Sequence, residues 1–299
     1  MNEEQLKILL QQIIEKVAVE SNQTSTDNSR NCDNVCQGKY SAVVSGETIP
    51  DITQYDYTKN LDIPNAANPE EYLRIKAKTD ARIGIGRSGP RYTTRSYLRI
   101  LADHAGAMDA VLNEVPESLA IENNLLSIST VCKSKYEYMT RPDLGRLFSD
   151  ETKKIISSKC QKNPDVQVIV ADGLSSTAVE SNIKDLLPSL EQGFKVEGLT
   201  SGTPLFVKYC RVPAMDVITE VIKPKVTIIL LGERPGLSTY ASLSAYITYE
   251  GYVGMPEANR TVVSNIHKNG TNPVEAGAHI AGVVKKMIQQ KASGTNLQL

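Results

Sequence analysis

The sequence predicts an α/β fold with a mainly parallel sheet on its C-terminal side. Three observations carry this reading. Short, nearly continuous apolar runs recur at 166–171 (VQVIVA), 205–209 (LFVKY) and 226–231 (VTIILL), as expected of strands buried on both faces. Helical patterns separate them at 176–192 and 214–222, so the strands are joined by βαβ crossovers. Aromatic residues are few (13 Tyr, 3 Phe and no Trp), which requires an aliphatic core.

In chain order, residues 1–20 form an amphipathic pattern. Leu6, Leu9, Leu10, Ile13, Ile14 and Val17 make one apolar stripe, and Glu3, Glu4, Lys7, Gln11, Gln12, Glu15 and Lys16 cover the other side. Asn2 is placed to cap the helix, with acids in the first turn where the helix dipole favours them. A helix this short is marginal alone and needs a surface to lie against. Residues 21–69 begin as SNQTSTDNSRNCDNVCQG, polar and without periodicity, and read as a flexible linker. The tethered stripe is therefore expected to dock into a groove on another protein. Residues 70–155 read as a mixed, mostly helical region, with helices at 71–78 and 93–104 flanking the turn ARIGIGRSGPRYTTR. Residues 156–299 hold the α/β domain, with a fourth strand at 243–249, an extended segment at 260–266 and a closing helix at 274–290.

Composition narrows the function. The 299 residues carry 33 Lys and Arg against 34 Asp and Glu, a net charge of -1, without the basic surplus of a nucleic-acid binder. No stretch approaches the ~18 apolar residues of a membrane span, and MNEEQLK lacks the features of a secretory leader, so a cytoplasmic setting is expected. Five scattered cysteines (Cys32, Cys36, Cys132, Cys160, Cys210) read as reduced thiols, and Cys32 with Cys36 lacks the further ligands of a structural zinc site.

Gly84, Gly86 and Gly89 satisfy G-x-G-x-x-G, whose mechanism needs a buried strand before it and a helix N-terminus after it. Residues 78–83 make a poor strand and Pro90 follows, so a nicotinamide-dependent oxidoreductase stands only as an alternative. The other reading of this turn is a cluster of guanidiniums, Arg82, Arg87, Arg91 and Arg95, available to acidic groups. His104, His267 and His279 fit no metal spacing, and no nucleophile turn is present. Ligands of such sheets sit beyond the carboxyl ends of the strands. Those ends carry Asp172-Gly173-Leu174-Ser175, Cys210-Arg211-Val212 and Gly232-Glu233-Arg234-Pro235-Gly236. Glu233, aimed by a rigid turn, is the leading candidate to meet donors on a ligand.

A series of segments, ARIGIGRSGPR, LADHAGAMDAVLNEVP, YMTRPDLGR, NPDVQVIVADGLSS, GTPLFVKYCRV, ILLGERPGLS, NRTVVSNIHKNGTNPVEAG and KMIQQKASGTN, resembles the small subunit of ethanolamine ammonia-lyase in content and order. The resemblance spans residues 79–296. It implies a Rossmann-like domain in a subunit of an adenosylcobalamin-dependent enzyme that converts ethanolamine to acetaldehyde and ammonia by radical chemistry. It further implies a TIM-barrel large subunit that carries the substrate site, and no catalytic residue in this chain. Cobalamin in that family keeps its own dimethylbenzimidazole as lower ligand, which agrees with the missing D-x-H-x-x-G. By position in the matching motifs, Val212, Glu233 and Val262 are expected to contact adenosylcobalamin. Val262 departs from relatives with Cys at that place. The family's enzymes enter a bacterial microcompartment, so a shell or cargo protein is the expected partner of residues 1–20. A non-catalytic cargo adaptor is the remaining alternative.

Overall fold

The computed structural model describes residues 50–298. The predicted helix at 1–20, the first part of the linker, and Cys32 and Cys36 lie outside the described residues.

Residues 51–68 are not linker, contrary to the boundary at 69. A 3-10 turn at Ile52–Gln54 opens the segment, with Asp51 accepting the Thr53 N–H at 2.9 Å. The Arg99 guanidinium then gathers three of its carbonyls: Ile52 O at 3.3 Å, Tyr55 O at 2.9 Å, and Thr53 O. Tyr57 donates to Ser96 O at 3.2 Å and Tyr55 to Asp62 at 2.6 Å. One long cation on the neighbouring helix satisfies backbone acceptors that have no ladder of their own. Such a contact leaves no periodicity in the segment it fixes.

Helix α1 spans Pro69–Lys76, capped by Asn68, with Pro at its first position. Strands β1 (Arg87–Ser88) and β2 (Arg91–Tyr92) form a minimal hairpin joined through Gly89, whose φ of +61° the tight link requires. Helix α2 (Thr94–Leu112) is longer than the sequence pattern indicates, and α3 (Glu117–Glu122) follows.

The main sheet has six strands: β3 (Leu126–Ser129), β4 (Val166–Ala171), β5 (Leu205–Lys208), β6 (Val226–Gly232), β7 (Leu243–Tyr249) and β8 (Thr261–Ile266). Their spatial order is β3-β5-β4-β6-β7-β8; the first four are mutually parallel, and β7 pairs antiparallel with both β6 and β8. This is the Rossmann-like, predominantly parallel sheet that the apolar runs predict. Strand β3 lies within 70–155 yet forms the sheet edge, so the sheet draws on both sides of the 155/156 boundary. Its short LSIS sequence is too weak a pattern to announce a strand.

Helices cover both faces. On one, α6 (Ser176–Val196) and α8 (Pro273–Gln290) pack on Val226, Ile228 and Leu230. On the other, α5 (Asp150–Lys159) and α7 (Ala214–Ile222) pack on Ile229 and Leu231. Burial on both sides explains why β6 is apolar without alternation. Each buried Val, Leu or Ile contributes ~1.5–3 kcal/mol of transfer free energy before ordering costs, so this double-sided core dominates the fold. No helix among the described residues is long and apolar enough to cross a membrane.

Candidate functional site

Strands β4 and β5 are neighbours, but the chain leaves β4 for α6 on one face and leaves β5 for α7 on the other. Such a switch opens a crevice at the carboxyl ends, where ligands of this architecture usually sit. Here the chain fills it. From the short helix α4 (Lys135–Thr140), Lys135 Nζ donates to Asp172 Oδ1 at 3.0 Å and to Gly173 O at 3.1 Å. The fully buried Tyr138 donates to Cys210 O at 3.1 Å, and the Arg211 guanidinium lies 4.2 Å from its ring centroid. Burial pushes the Asp172 carboxyl pKa up, against the pull of the Lys135 ammonium. Burial likewise raises the Cys210 thiol and the Tyr138 phenol. The segment YMTRPDLGR is thus a plug, and two of the three strand ends singled out in the sequence are occupied from within.

The third end is open. Glu233 follows β6 directly, its N–H donating to Ser242 O at 3.0 Å. At Gly232 a Cβ would stand 2.1 Å from Ser175 O, so only glycine lets this strand end pass the neighbouring turn. The Glu233 carboxylate accepts from the Tyr246 hydroxyl at 2.7 Å through Oε1. Among the described residues, Oε2 accepts no hydrogen bond. Burial and the Glu233 carboxylate raise the Tyr246 pKa, so the phenol stays a donor.

Tyr246 sits in register between Ile229 of β6 and Val262 of β8. Directly opposed antiparallel residues share a face, so Val262 and Tyr246 present to the same side. Val212, at the start of α7, packs on the same core as Tyr246. The structure therefore brings the three sequence candidates, Val212, Glu233 and Val262, to one face of the sheet. Val262 is 46% exposed there. Toward the far end of β8 from Glu233, Arg260 forms a fully buried two-pronged ion pair with Asp216 of α7, at 2.9 and 2.8 Å, and fixes the strand.

Sequence reasoning missed Tyr246 and Ser244. Both lie on this face by the alternation of β7, and Ser244 Oγ is buried without a hydrogen-bond partner. Counting alternate positions of LSAYITY from the apolar residues would have placed both. The Glu233 carboxylate, the Tyr246 phenol that holds it and the half-exposed Val262 thus lie on one side of the sheet, while Ser244 is buried beneath it.

The glycine turn does not fit its alternative reading. Gly84 and Gly86 lie in irregular chain, Gly89 in the hairpin, and no sheet strand precedes them, so the nicotinamide reading is corrected. Of the guanidiniums there, Arg82 is used inside the fold, while Arg87, Arg91 and Arg95 are exposed. Arg82 pairs with Asp103 at 2.5 Å and donates to Leu237 O at 2.8 Å. Arg95 lies over Tyr55 and Arg87 over Tyr92. His267 is buried; its Nδ1 accepts the Asn269 N–H at 3.2 Å and its Nε2 faces Asn265 Oδ1 at 2.7 Å. Cys132, Cys160 and Cys210 are free and buried. Among the described residues, no cluster of three His, Cys, Asp or Glu side chains is placed to hold a metal ion.

The fold is that of an α/β protein with a Rossmann-like, mainly parallel sheet whose β6 end carries an exposed turn. Residues 69–298 match the family model of the ethanolamine ammonia-lyase light chain. Over the full length of both chains, the sequence is 52% identical to the ethanolamine ammonia-lyase small subunit of Clostridium perfringens, and 49% identical to those of Fusobacterium nucleatum and Clostridioides difficile. The chain belongs to the ethanolamine ammonia-lyase light chain family.

Proposed function

We propose that this chain, as the light subunit of an ethanolamine ammonia-lyase, holds adenosylcobalamin on the open face of β6, β7 and β8 against the large subunit. The observation that carries the reading is the Tyr246–Glu233 hydrogen bond, flanked by Val212 and Val262 on one face. Val212 and Val262 supply apolar contact, and Glu233 accepts amide N–H groups. When bound, the cofactor supplies homolysis of its carbon–cobalt bond, which starts the radical conversion of ethanolamine to acetaldehyde and ammonia. The protein's part is to bind and orient it. The substrate site belongs to the large subunit.

Co-expression with the large subunit and spectral titration with adenosylcobalamin test this. Glu233→Ala is expected to weaken binding about tenfold, the scale of one hydrogen bond to a charged group, with the chain still folded and assembled. An unchanged affinity overturns the assignment of this face.

Residues 1–20 are proposed to carry the enzyme into a bacterial microcompartment by docking their apolar stripe on a shell or cargo protein. Deleting them is expected to abolish encapsulation and spare deamination. Encapsulation retained without them removes this role.

A further inference from the structure

Helix α2 is amphipathic in the wrong direction for a free surface. Its inner side, at positions 96, 99, 103, 106 and 110, carries Ser, Arg, Asp, Gly and Ala. These contacts are polar or small: Arg99 holds residues 52–55, Asp103 pairs with Arg82, and Ala110 O accepts from Ser176 at 3.3 Å. The opposite side carries Leu98, Leu101, Ala105, Met108 and Leu112, a 3-4-3-4 spacing that forms one straight seam. The four large residues of this seam are 45–51% exposed. A surface helix of a free-standing protein turns its apolar stripe inward. In this one the stripe faces out, and contiguous exposed apolar surface marks a contact with another macromolecule.

We propose that this seam is the docking surface for the large subunit, which lays an apolar helix along it. The occupant follows from continuity. Met108 and Leu112 form one wall of a groove of about 420 Å³ whose other wall is Pro235 and Leu237. That loop runs on directly from Glu233, and Arg82 ties it to α2 by donating to both Leu237 O and Asp103. The loop from Glu233 to Leu237 therefore links the end of β6 to the groove beside the seam. A subunit that closes over the Glu233 end of the sheet meets this loop and, with it, α2. The inference rests on the light-subunit reading and adds the place of contact.

The full chain carrying Leu101→Glu and Met108→Glu, co-expressed with a tagged large subunit, is expected to be recovered at least tenfold less than wild type. Recovery at the wild-type level overturns the proposal. Because two acidic substitutions can also disturb folding, a photoreactive p-benzoylphenylalanine at position 101 provides a second measurement. An adduct with the large subunit supports the docking surface. An adduct only with a second light chain or with residues 1–20 of the same chain, or no adduct at all, overturns it. If wild type assembles but binds no cobalamin, the cofactor assignment falls and the docking surface stands. If wild type does not assemble, both fall.

Discussion

Lys135 and Asp172 meet at 3.0 Å with side chains 8% and 0% exposed, in the crevice where an α/β sheet of this topology normally receives its ligand. Asp172 Oδ2 has no further partner, so the ammonium is the main compensation for a buried carboxylate. The pair holds α4 onto the ends of β4 and β5. It leaves the end of β6 as the strand end not filled from within.

Removing either partner strands a buried charge, which typically costs 3–5 kcal/mol. Lys135→Met is expected to lower stability by about 3 kcal/mol in urea unfolding. The double variant Lys135→Met/Asp172→Leu should lie closer to wild type than either single change. Single variants within 1 kcal/mol of wild type would show that the plug does not depend on this pair.

The sheet was legible because its central strands are buried on both faces, and VQVIVA, LFVKY and VTIILL announce that directly. Glu233 was legible because a rigid turn follows an apolar run. The strap at 51–68 was not, since its order comes from Arg99 and Ser96, more than thirty residues away, and not from local periodicity. The plug was hidden for the same reason: nothing local in YMTRPDLGR says that Tyr138 reaches the carbonyl of Cys210. Tyr246 and Ser244 were within reach of the sequence, because a period of two along β7 puts them on the face that Ile229 and Leu231 define. The outward stripe of α2 shows the limit of periodicity, which gives an apolar face but not the direction in which it points.

Asp165 gives a pH dependence with a definite sign. Burial raises its pKa, but the Lys225 ammonium at 2.8 Å and the Thr200 hydroxyl and N–H outweigh that and hold it at about 2, below its ordinary 3.8. A depressed folded-state value contributes stability fully present above 3.8 and lost as pH falls through about 2. Because Lys225 is half exposed, screening reduces the contribution to ~1 kcal/mol. Asp165→Asn should therefore be less stable than wild type at pH 6, and the gap should close toward pH 2. A gap independent of pH would assign the loss to the Thr200 hydrogen bonds instead.

Val262 stands where the family resemblance leads to an expectation of Cys. Its side chain is half exposed on a strand whose backbone is paired to β7. A small apolar side chain is enough to meet an apolar ligand surface there. Val262→Cys is expected to leave cobalamin affinity of the assembled enzyme within twofold, and Val262→Glu to lower it about tenfold by placing a charge against that surface. Equal affinities for all three would remove Val262 from the contact.

Tyr246 tests whether Glu233 must be held as well as present. The phenol occupies Oε1 and leaves Oε2 without a hydrogen bond among the described residues, so the carboxylate is fixed before a ligand arrives. Tyr246→Phe keeps the ring packed between Ile229 and Val262 and removes only the donor. Loss of one hydrogen bond to a carboxylate is worth about 1.5–3 kcal/mol, much of it spent here on freedom of the Glu233 side chain. Cobalamin affinity is expected to fall about threefold to fivefold, less than the roughly tenfold loss expected of Glu233→Ala. The combined variant Tyr246→Phe/Glu233→Ala should bind no more weakly than Glu233→Ala alone, because the phenol acts through the carboxylate. Additive losses in this cycle would mean that Tyr246 contacts the ligand on its own account.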